Sequence, residues 1–230
     1  MNHDITNEVL AEFSTAFSSN PVNRIAMNAV TSAGLLAASK NPIAQRESRH
    51  SYSISLEQGE ITNQKQSGRC WMFAALNTFR FEVMKNLNLK TFELSQNYTL
   101  FYDKLEKSNY FLESILETLD EPTQGRLISF LLSAPLGDGG QWDMLCNLVR
   151  KYGVVPKEAM PETVSSSATR EMTSALTRKL REDACRLRKA YADGSTLDEL
   201  RQKKEAMMEE IYRVLCICLG EPPKTFDLEV

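Results

Sequence analysis

The sequence contains a polar, glycine-bounded loop that runs directly into an amphipathic helix. The loop covers residues 59–68, and the helical pattern begins at Cys70 and continues to about Lys85. Apolar side chains recur there every three or four residues and form one stripe, made of Met72, Leu76, Phe79, Val83 and Leu87. Such a stripe packs against other apolar surface, so this segment carries the clearest helical pattern of the chain. Cys70 is expected to lie in the first turn of that helix.

Helical patterns also cover much of the remaining chain. They fall at 1–19, 24–38, 95–107, 125–132 and 141–152. Ser95 is a suitable N-cap for the third of these, and Gly153 is a suitable residue to close the last. From 168 to 219 the pattern is that of a charged helical hairpin broken near Gly194, whose charges are typical of a solvated face. Alternating apolar residues predict short strands at 50–56 and 226–230.

Composition and charge narrow the classes of function. Apolar residues make up 42% of the 230, charged residues 25%, and the formal net charge is −3. These values are typical of a soluble globular protein and disfavour disorder or nucleic-acid binding. No apolar run approaches the roughly 20 residues of a transmembrane helix, and the first thirty residues lack the apolar core of a signal peptide. A cytoplasmic protein is therefore expected.

The five cysteines are an odd number, and we expect them to be reduced thiols. Cys216 and Cys218 are two residues apart on a predicted helix, so they point to different faces, which disfavours a metal site. Cys70 differs from the others because unpaired backbone N–H groups and the helix dipole favour a thiolate at a helix start.

A backbone N–H at the same helix start can face an oxyanion. Gln64, six residues before Cys70, supplies a second donor if the loop folds back. A thiolate with two convergent donors is the apparatus of acyl transfer. The plainer alternatives are a structural cysteine at position 70 and an ordinary loop residue at position 64.

Several segments resemble the papain-like cysteine peptidases. The stretch from Asn63 to Phe73, in which five residues separate Gln64 from Cys70-Trp71, is similar to the nucleophile segment of that family. Its form, Gly-Arg-Cys-Trp followed by Phe-Ala-Ala-Leu-Asn, resembles the branch that contains bleomycin hydrolase and aminopeptidase C. Further similar segments lie at 93–98, 137–142 and 152–156, so the resemblance covers nearly the whole chain.

The resemblance implies an α+β, papain-like fold. This chain would supply mostly the helical lobe, with the central nucleophile helix and a helical insertion, while the β-rich lobe is largely missing from it. We expect N-terminal helices and a strand at 1–58, the helical lobe with the nucleophile at 59–160, the insertion at 161–221, and at 222–230 the start of a strand that continues into the other half.

The resemblance also implies a cysteine-type aminopeptidase that removes N-terminal residues from peptides through an acyl-enzyme. Cys70 would be the nucleophile and Gln64 an oxyanion donor, while Gly139 and Gly140 would exchange main-chain hydrogen bonds with the substrate. The alternative for these two residues is an ordinary pair of turn glycines. The family further implies a homohexamer in the cytoplasm that acts on peptide substrates and needs no cofactor. The residues themselves predict no metal and no membrane association, and they disfavour nucleic-acid binding.

The catalytic histidine and asparagine of the family lie far downstream of the nucleophile. The only histidines here are His3 and His50, and neither matches. The family's chains are also roughly twice as long, so we expect either a fragment of an aminopeptidase or a truncated, non-catalytic relative that acts in assembly or partner binding.

Overall fold

Helices dominate the part of the chain that the structure, a computed structural model, describes, namely residues 4–48, 51–56 and 59–228. The chain divides after Leu56 into two compact units. None of the described helices is both long enough and apolar enough to cross a membrane.

Four helices form from the described residues of the first unit. They are α1 (Asn7–Ser19), α2 (Pro21–Ala33), α3 (Leu35–Ala38) and α4 (Pro42–Glu47). The single helix predicted over 24–38 is wrong in one respect, because Gly34 interrupts it. Gly34 has φ 80°, a conformation that glycine adopts without strain, and its N–H bonds the carbonyl of Val30 to close α2.

The strand predicted over 50–56 is not found in its described part, since residues 51–56 form no strand; His50 lies outside the described residues. Tyr52 and Ile54, whose alternation suggested the strand, are 76% and 77% exposed. An alternating pattern becomes a strand only when a neighbouring strand pairs with it. The strand predicted from 226 is likewise missing over 226–228, and residues 229–230 lie outside the described part.

In the second unit, the described residues form seven α-helices and a short 3₁₀ helix at Lys157–Ala159. The helices are α5 (Cys70–Leu87), α6 (Gln96–Glu117), α7 (Arg126–Ser133), α8 (Trp142–Tyr152), α9 (Val164–Ser167), α10 (Arg170–Ala192) and α11 (Leu197–Leu219). Two isolated bridges, Gln66 with Ala168 and Leu94 with Pro156, are the β-pairings of the described residues.

Local signals explain where these helices begin and end. Ser95 caps α6 as predicted, because its Oγ accepts a hydrogen bond from the Tyr98 N–H at 3.0 Å. The helix then continues to Glu117, ten residues beyond the predicted end, since Phe111 and Ile115 prolong its apolar stripe and are buried. The predicted hairpin is confirmed as α10 and α11, which are joined through the exposed Gly194.

Helix α6 lies at the centre of this unit and packs against α5, α7, α8, α10 and α11. Its core side chains meet the inner faces of the hairpin in one cluster whose fully buried members include Phe101, Leu112, Ile115, Leu176, Leu180, Leu187, Ile211 and Leu215. Each such side chain contributes roughly 1.5–3 kcal/mol by leaving water. Helix α5 joins the cluster through Met72, which is 0% exposed and therefore fixes the start of α5.

Candidate active site

Cys70 is the first residue of α5 and is exposed, with a free thiol. The preceding residue, Arg69, makes no side-chain hydrogen bond to the first turn of the helix. The first N–H groups of this 18-residue helix therefore have no side-chain cap from Arg69 and lie at its positive end. Since Met72 and Phe73 bury the inner face of the same turn, the thiol is held in place while remaining accessible.

Arg69 is completely buried. Its Nη1 and Nη2 donate to the two carboxylate oxygens of Glu162 at 2.9 and 2.7 Å, and its Nε donates to Ser67 Oγ at 2.8 Å. Ser166 Oγ donates to Glu162 Oε2 at 2.8 Å. The residue next to the nucleophile is thus joined to the segment just before α9 by a bidentate ion pair that sequence patterns did not predict.

The loop before Cys70 is fixed to the same region through its backbone. The Gln66 N–H donates to the carbonyl of Ser167 at 2.9 Å, within a parallel bridge between Gln66 and Ala168. These backbone contacts hold the loop in place at Gln66.

Gln64 lies in this loop, half-buried, ahead of a left-handed Lys65 with φ 55°. Its carbonyl accepts a hydrogen bond from Ser67 Oγ at 2.6 Å. Its side-chain Oε1 is buried and has no hydrogen-bond partner among the described residues. A hydrogen bond between Gln64 and Cys70 is not among those that the described residues make. The backbone of Gln64 thus stabilises the loop. Its side-chain Oε1 contributes no hydrogen bond to the fold among the described residues.

The glycine loop, defined here as residues 137–140, lies against the second residue of α5. Trp71 Nε1 donates to the carbonyl of Asp138 at 2.9 Å. A Cβ atom placed on Gly140 would lie 2.5 Å from the indole ring, whereas one on Gly139 would meet nothing within 4 Å. Of the two predicted substrate-binding glycines, Gly140 is therefore held in contact with Trp71, directly beside Cys70 in sequence.

The carboxylate of Asp138 also anchors the glycine loop to Lys104 of α6 and to Thr169. Its Oδ1 accepts from the fully buried Lys104 at 2.5 Å, and its Oδ2 accepts from Thr169 Oγ1 at 2.9 Å. Burial raises the pKa of the Asp138 carboxyl, but the bonds from Lys104 and Thr169 and the Gly68 backbone outweigh it, so this pKa lies below its usual range. A Cβ on Gly68 would lie 2.5 Å from Asp138 Cβ, so the two loops touch closely.

One feature of the sequence indicates this anchor. Lys104 falls on the apolar face of α6, four residues after Leu100, where a charged side chain needs a buried partner. The described residues contain no group of three or more His, Cys, Asp or Glu side chains arranged to hold a metal ion.

A model of the Peptidase C1-like family matches residues 4–230. The chain belongs to the Peptidase C1-like family. Its relatives include aminopeptidase C of Listeria monocytogenes, 48% identical over 100% of this chain and 51% of the relative. Bleomycin hydrolase of Homo sapiens is 43% identical over 98% of this chain and 50% of its own length. The chain thus spans about half the length of the curated relatives it matches.

A solved structure of PepW from Lactobacillus rhamnosis HN001 superposes with a TM-score of 0.96, at 46% identity. The superposition covers 100% of this chain and 52% of that chain. Together with the family match, this confirms the predicted papain-like cysteine peptidase fold, represented here mostly by its helical lobe. The resemblance to the bleomycin hydrolase and aminopeptidase C branch is confirmed as well.

Proposed function

We propose that this chain carries the nucleophile half of a cysteine aminopeptidase that removes N-terminal residues from peptides. The observation that carries the proposal is the position of Cys70, exposed at the uncapped start of α5 and next to the Trp71–glycine loop contact, within a member of the Peptidase C1-like family. The names aminopeptidase C and bleomycin hydrolase among its relatives support it.

In this mechanism the Cys70 thiolate attacks the carbonyl carbon of the first peptide bond. The oxyanion that forms accepts hydrogen bonds from the Cys70 backbone N–H and from the side-chain amide of Gln64. The carbon–nitrogen bond then breaks, the leaving amine takes a proton, and an acyl-enzyme thioester remains until water hydrolyses it. The family resemblance assigns the proton transfers to a histidine, oriented by an asparagine, that lie downstream of the residues in this chain.

Substrate alignment falls to the glycine loop in this proposal. Among the described residues, none makes a hydrogen bond with the backbone N–H or C=O of Gly140. Gly140 has no side chain to block approach from a peptide, and its contact with the Trp71 ring holds it against the residue that follows Cys70. Its free backbone groups can therefore pair with those of an extended peptide, and Gly139 beside it leaves the space open.

We also propose that the whole protein works as a homohexamer in the cytoplasm. The support is the family resemblance together with five cysteines that are all free thiols. Size-exclusion chromatography with light scattering on the native protein tests the assembly. A mass of about six subunits is the expected result, and a monomer would contradict it.

The activity is tested by comparing the native full-length protein with its C70A and C185A variants on fluorogenic aminoacyl amides. Cys185 is also an exposed free thiol, which makes it the matched control. We expect C70A to lose about a thousandfold or more of kcat/KM and C185A to keep the wild-type value. Retained turnover in C70A would overturn the proposal.

The intact mass of the native protein separates this proposal from a truncated, non-catalytic relative. A mass near twice the 26.0 kDa of this chain is expected for an aminopeptidase that carries the remaining catalytic groups. A native mass of 26.0 kDa would instead leave Cys70 without a general base and favour the non-catalytic role.

A further inference from the structure

Two lysines on one face of α6 point at the glycine loop. Lys104 bonds Asp138, as described above, and also reaches the carbonyl of Gly137 at 3.3 Å. Lys107, one turn later, donates from Nζ to the carbonyls of Gly137 and Gly139, each at 2.8 Å. Its third hydrogen bond goes to Asp103 Oδ2 at 3.0 Å, so all three ammonium protons are used.

The hydrogen bonds of the glycine loop follow a pattern. Three successive carbonyls, those of Gly137, Asp138 and Gly139, accept from side chains, the outer two from Lys107 and the middle one from Trp71. The next residue, Gly140, makes no backbone hydrogen bond among the described residues. The protein itself therefore uses the carbonyls of residues 137–139. The backbone groups of Gly140 are the next along the chain, and they are the ones proposed to pair with the substrate.

The ammonium group of Lys107 is also tied to the nucleophile helix. It lies 5.5 Å from the centroid of the Trp71 ring, close enough for a cation–π interaction. The Lys107 side chain is 15% exposed and that of its partner Asp103 is 2% exposed. Burial lowers the pKa of Lys107 and raises that of Asp103, which is typical of an ion pair held out of water.

We propose that Lys107 is a positioning residue for peptide binding. By bonding the carbonyls of Gly137 and Gly139, it holds the backbone of Gly139 and Gly140 in the position in which they meet the substrate. The inference rests on the proposed peptidase function and assigns it a further residue. Lys107 does not touch the reacting atoms; it acts through the backbone of the glycine loop.

A cavity of about 550 Å³ between α6 and α8 supplies the control for this proposal. Lys107 and Lys151 both line it. Lys151, however, bonds Glu106 at 2.5 Å and makes no contact with the glycine loop among the described residues. Its removal takes a lysine from the same cavity without releasing the loop.

The test measures kcat and KM of the native full-length protein and its K107M, K107R and K151M variants on dipeptide amides. We expect K107M to raise KM by about tenfold with kcat changed by less than about threefold, because substrate alignment is lost while the nucleophile is intact. K107R should restore KM to within about threefold, since a guanidinium can still donate to both carbonyls. K151M should match the wild type.

A KM for K107M within about twofold of the K151M value would overturn the inference, as would a fall in kcat at unchanged KM. Wild-type protein without Cys70-dependent turnover would overturn the proposed function instead, so the two failures are distinguishable. K107M leaves the buried Asp103 carboxylate without its partner and could fail to fold for that reason. In that case the D103N/K107M double variant, which has no carboxylate at position 103, is measured by the same criteria. Faster hydrogen exchange confined to residues 137–142 is expected in whichever variant is used.

Discussion

Arg69 and Glu162 form a bidentate ion pair in which the guanidinium is completely buried and the carboxylate side chain is 25% exposed. The pair joins the residue before the nucleophile to the segment just before α9, 93 residues later in the chain, and α9 packs against α10 and α11. Its geometry therefore connects the placement of Cys70 to the packing of the hairpin.

Neutralising the carboxylate of this pair is expected to destabilise the protein strongly. In E162Q a buried guanidinium loses its counter-charge, which costs about 3 kcal/mol of unfolding free energy. Urea unfolding followed by circular dichroism measures it. The control is E182Q, because Glu182 forms an exposed pair with Arg186, whose loss costs at most about 1 kcal/mol. Equal stability of the two variants would contradict the role given to Glu162.

A methyl group on Gly140 should disturb the packing of the glycine loop against Trp71, whereas one on Gly139 should leave that packing unchanged. The Cβ of G140A would overlap the Trp71 ring, and we expect a loss of about 1–3 kcal/mol in stability together with a lower kcat/KM. The Cβ of G139A would meet open space, so its stability should change by less than about 0.5 kcal/mol. Thermal unfolding and steady-state kinetics on both variants check this. A G140A protein as stable and active as G139A would show that the close contact is not needed.

The Asp138 carboxylate is expected to give acid-dependent stability. Its pKa in the folded protein is lowered, so its contribution is fully present above the unfolded value of about 3.9 and is lost as the pH falls through the folded pKa. At pH 7 the D138N variant should be less stable by about 2 kcal/mol, because Lys104 is left buried without its partner.

Urea midpoints measured at pH 7 and at about pH 3 test the prediction for Asp138. The difference between wild type and D138N should shrink at the lower pH. The control is D193N, at the exposed turn of the hairpin, which should follow the wild type at both values. A difference that stays constant with pH would rule out the carboxylate as its source.

Removal of the Gln64 amide should affect catalysis without affecting stability. In Q64A we expect kcat to fall about 100-fold, as for loss of one oxyanion donor, with an unchanged melting temperature. Stability is spared because the loop is held by the backbone bonds of Gln64 and Gln66, not by the Gln64 side chain. The Q66A variant is the control, since the Gln66 side chain is exposed. Similar kcat values for Q64A and Q66A would remove Gln64 from the mechanism.

Sequence patterns predicted the helices of the second unit well, because those signals are local. The hairpin break at Gly194, the cap at Ser95 and the start of α5 at Cys70 were all visible in a few neighbouring residues. The end of α6 was placed too early, although Phe111 and Ile115 continue its apolar stripe into the core that α6 shares with α10 and α11.

The remaining features depend on residues far apart in the chain. Periodicity cannot show that Arg69 pairs with Glu162, or that Lys107 bonds carbonyls 30 and 32 residues later. The strand predicted over 50–56 failed for the same reason, because a strand needs a partner that a local pattern does not supply. Family resemblance, not spacing alone, gave the roles of Gly139 and Gly140, and those roles stay predictions.

The segment 161–219, which contains α9 and the α10–α11 hairpin, is bonded at both of its ends to one side chain. The buried Asn97 donates from Nδ2 to the carbonyls of Pro161 and Leu219, each at 2.8 Å, so the segment leaves and rejoins the rest of the unit at a single point. Its turn at Gly194 lies exposed at the far end. Residues added at that turn would leave the closure at Asn97 untouched, which makes it a natural place for evolution to vary length or for an engineer to graft a reporter peptide.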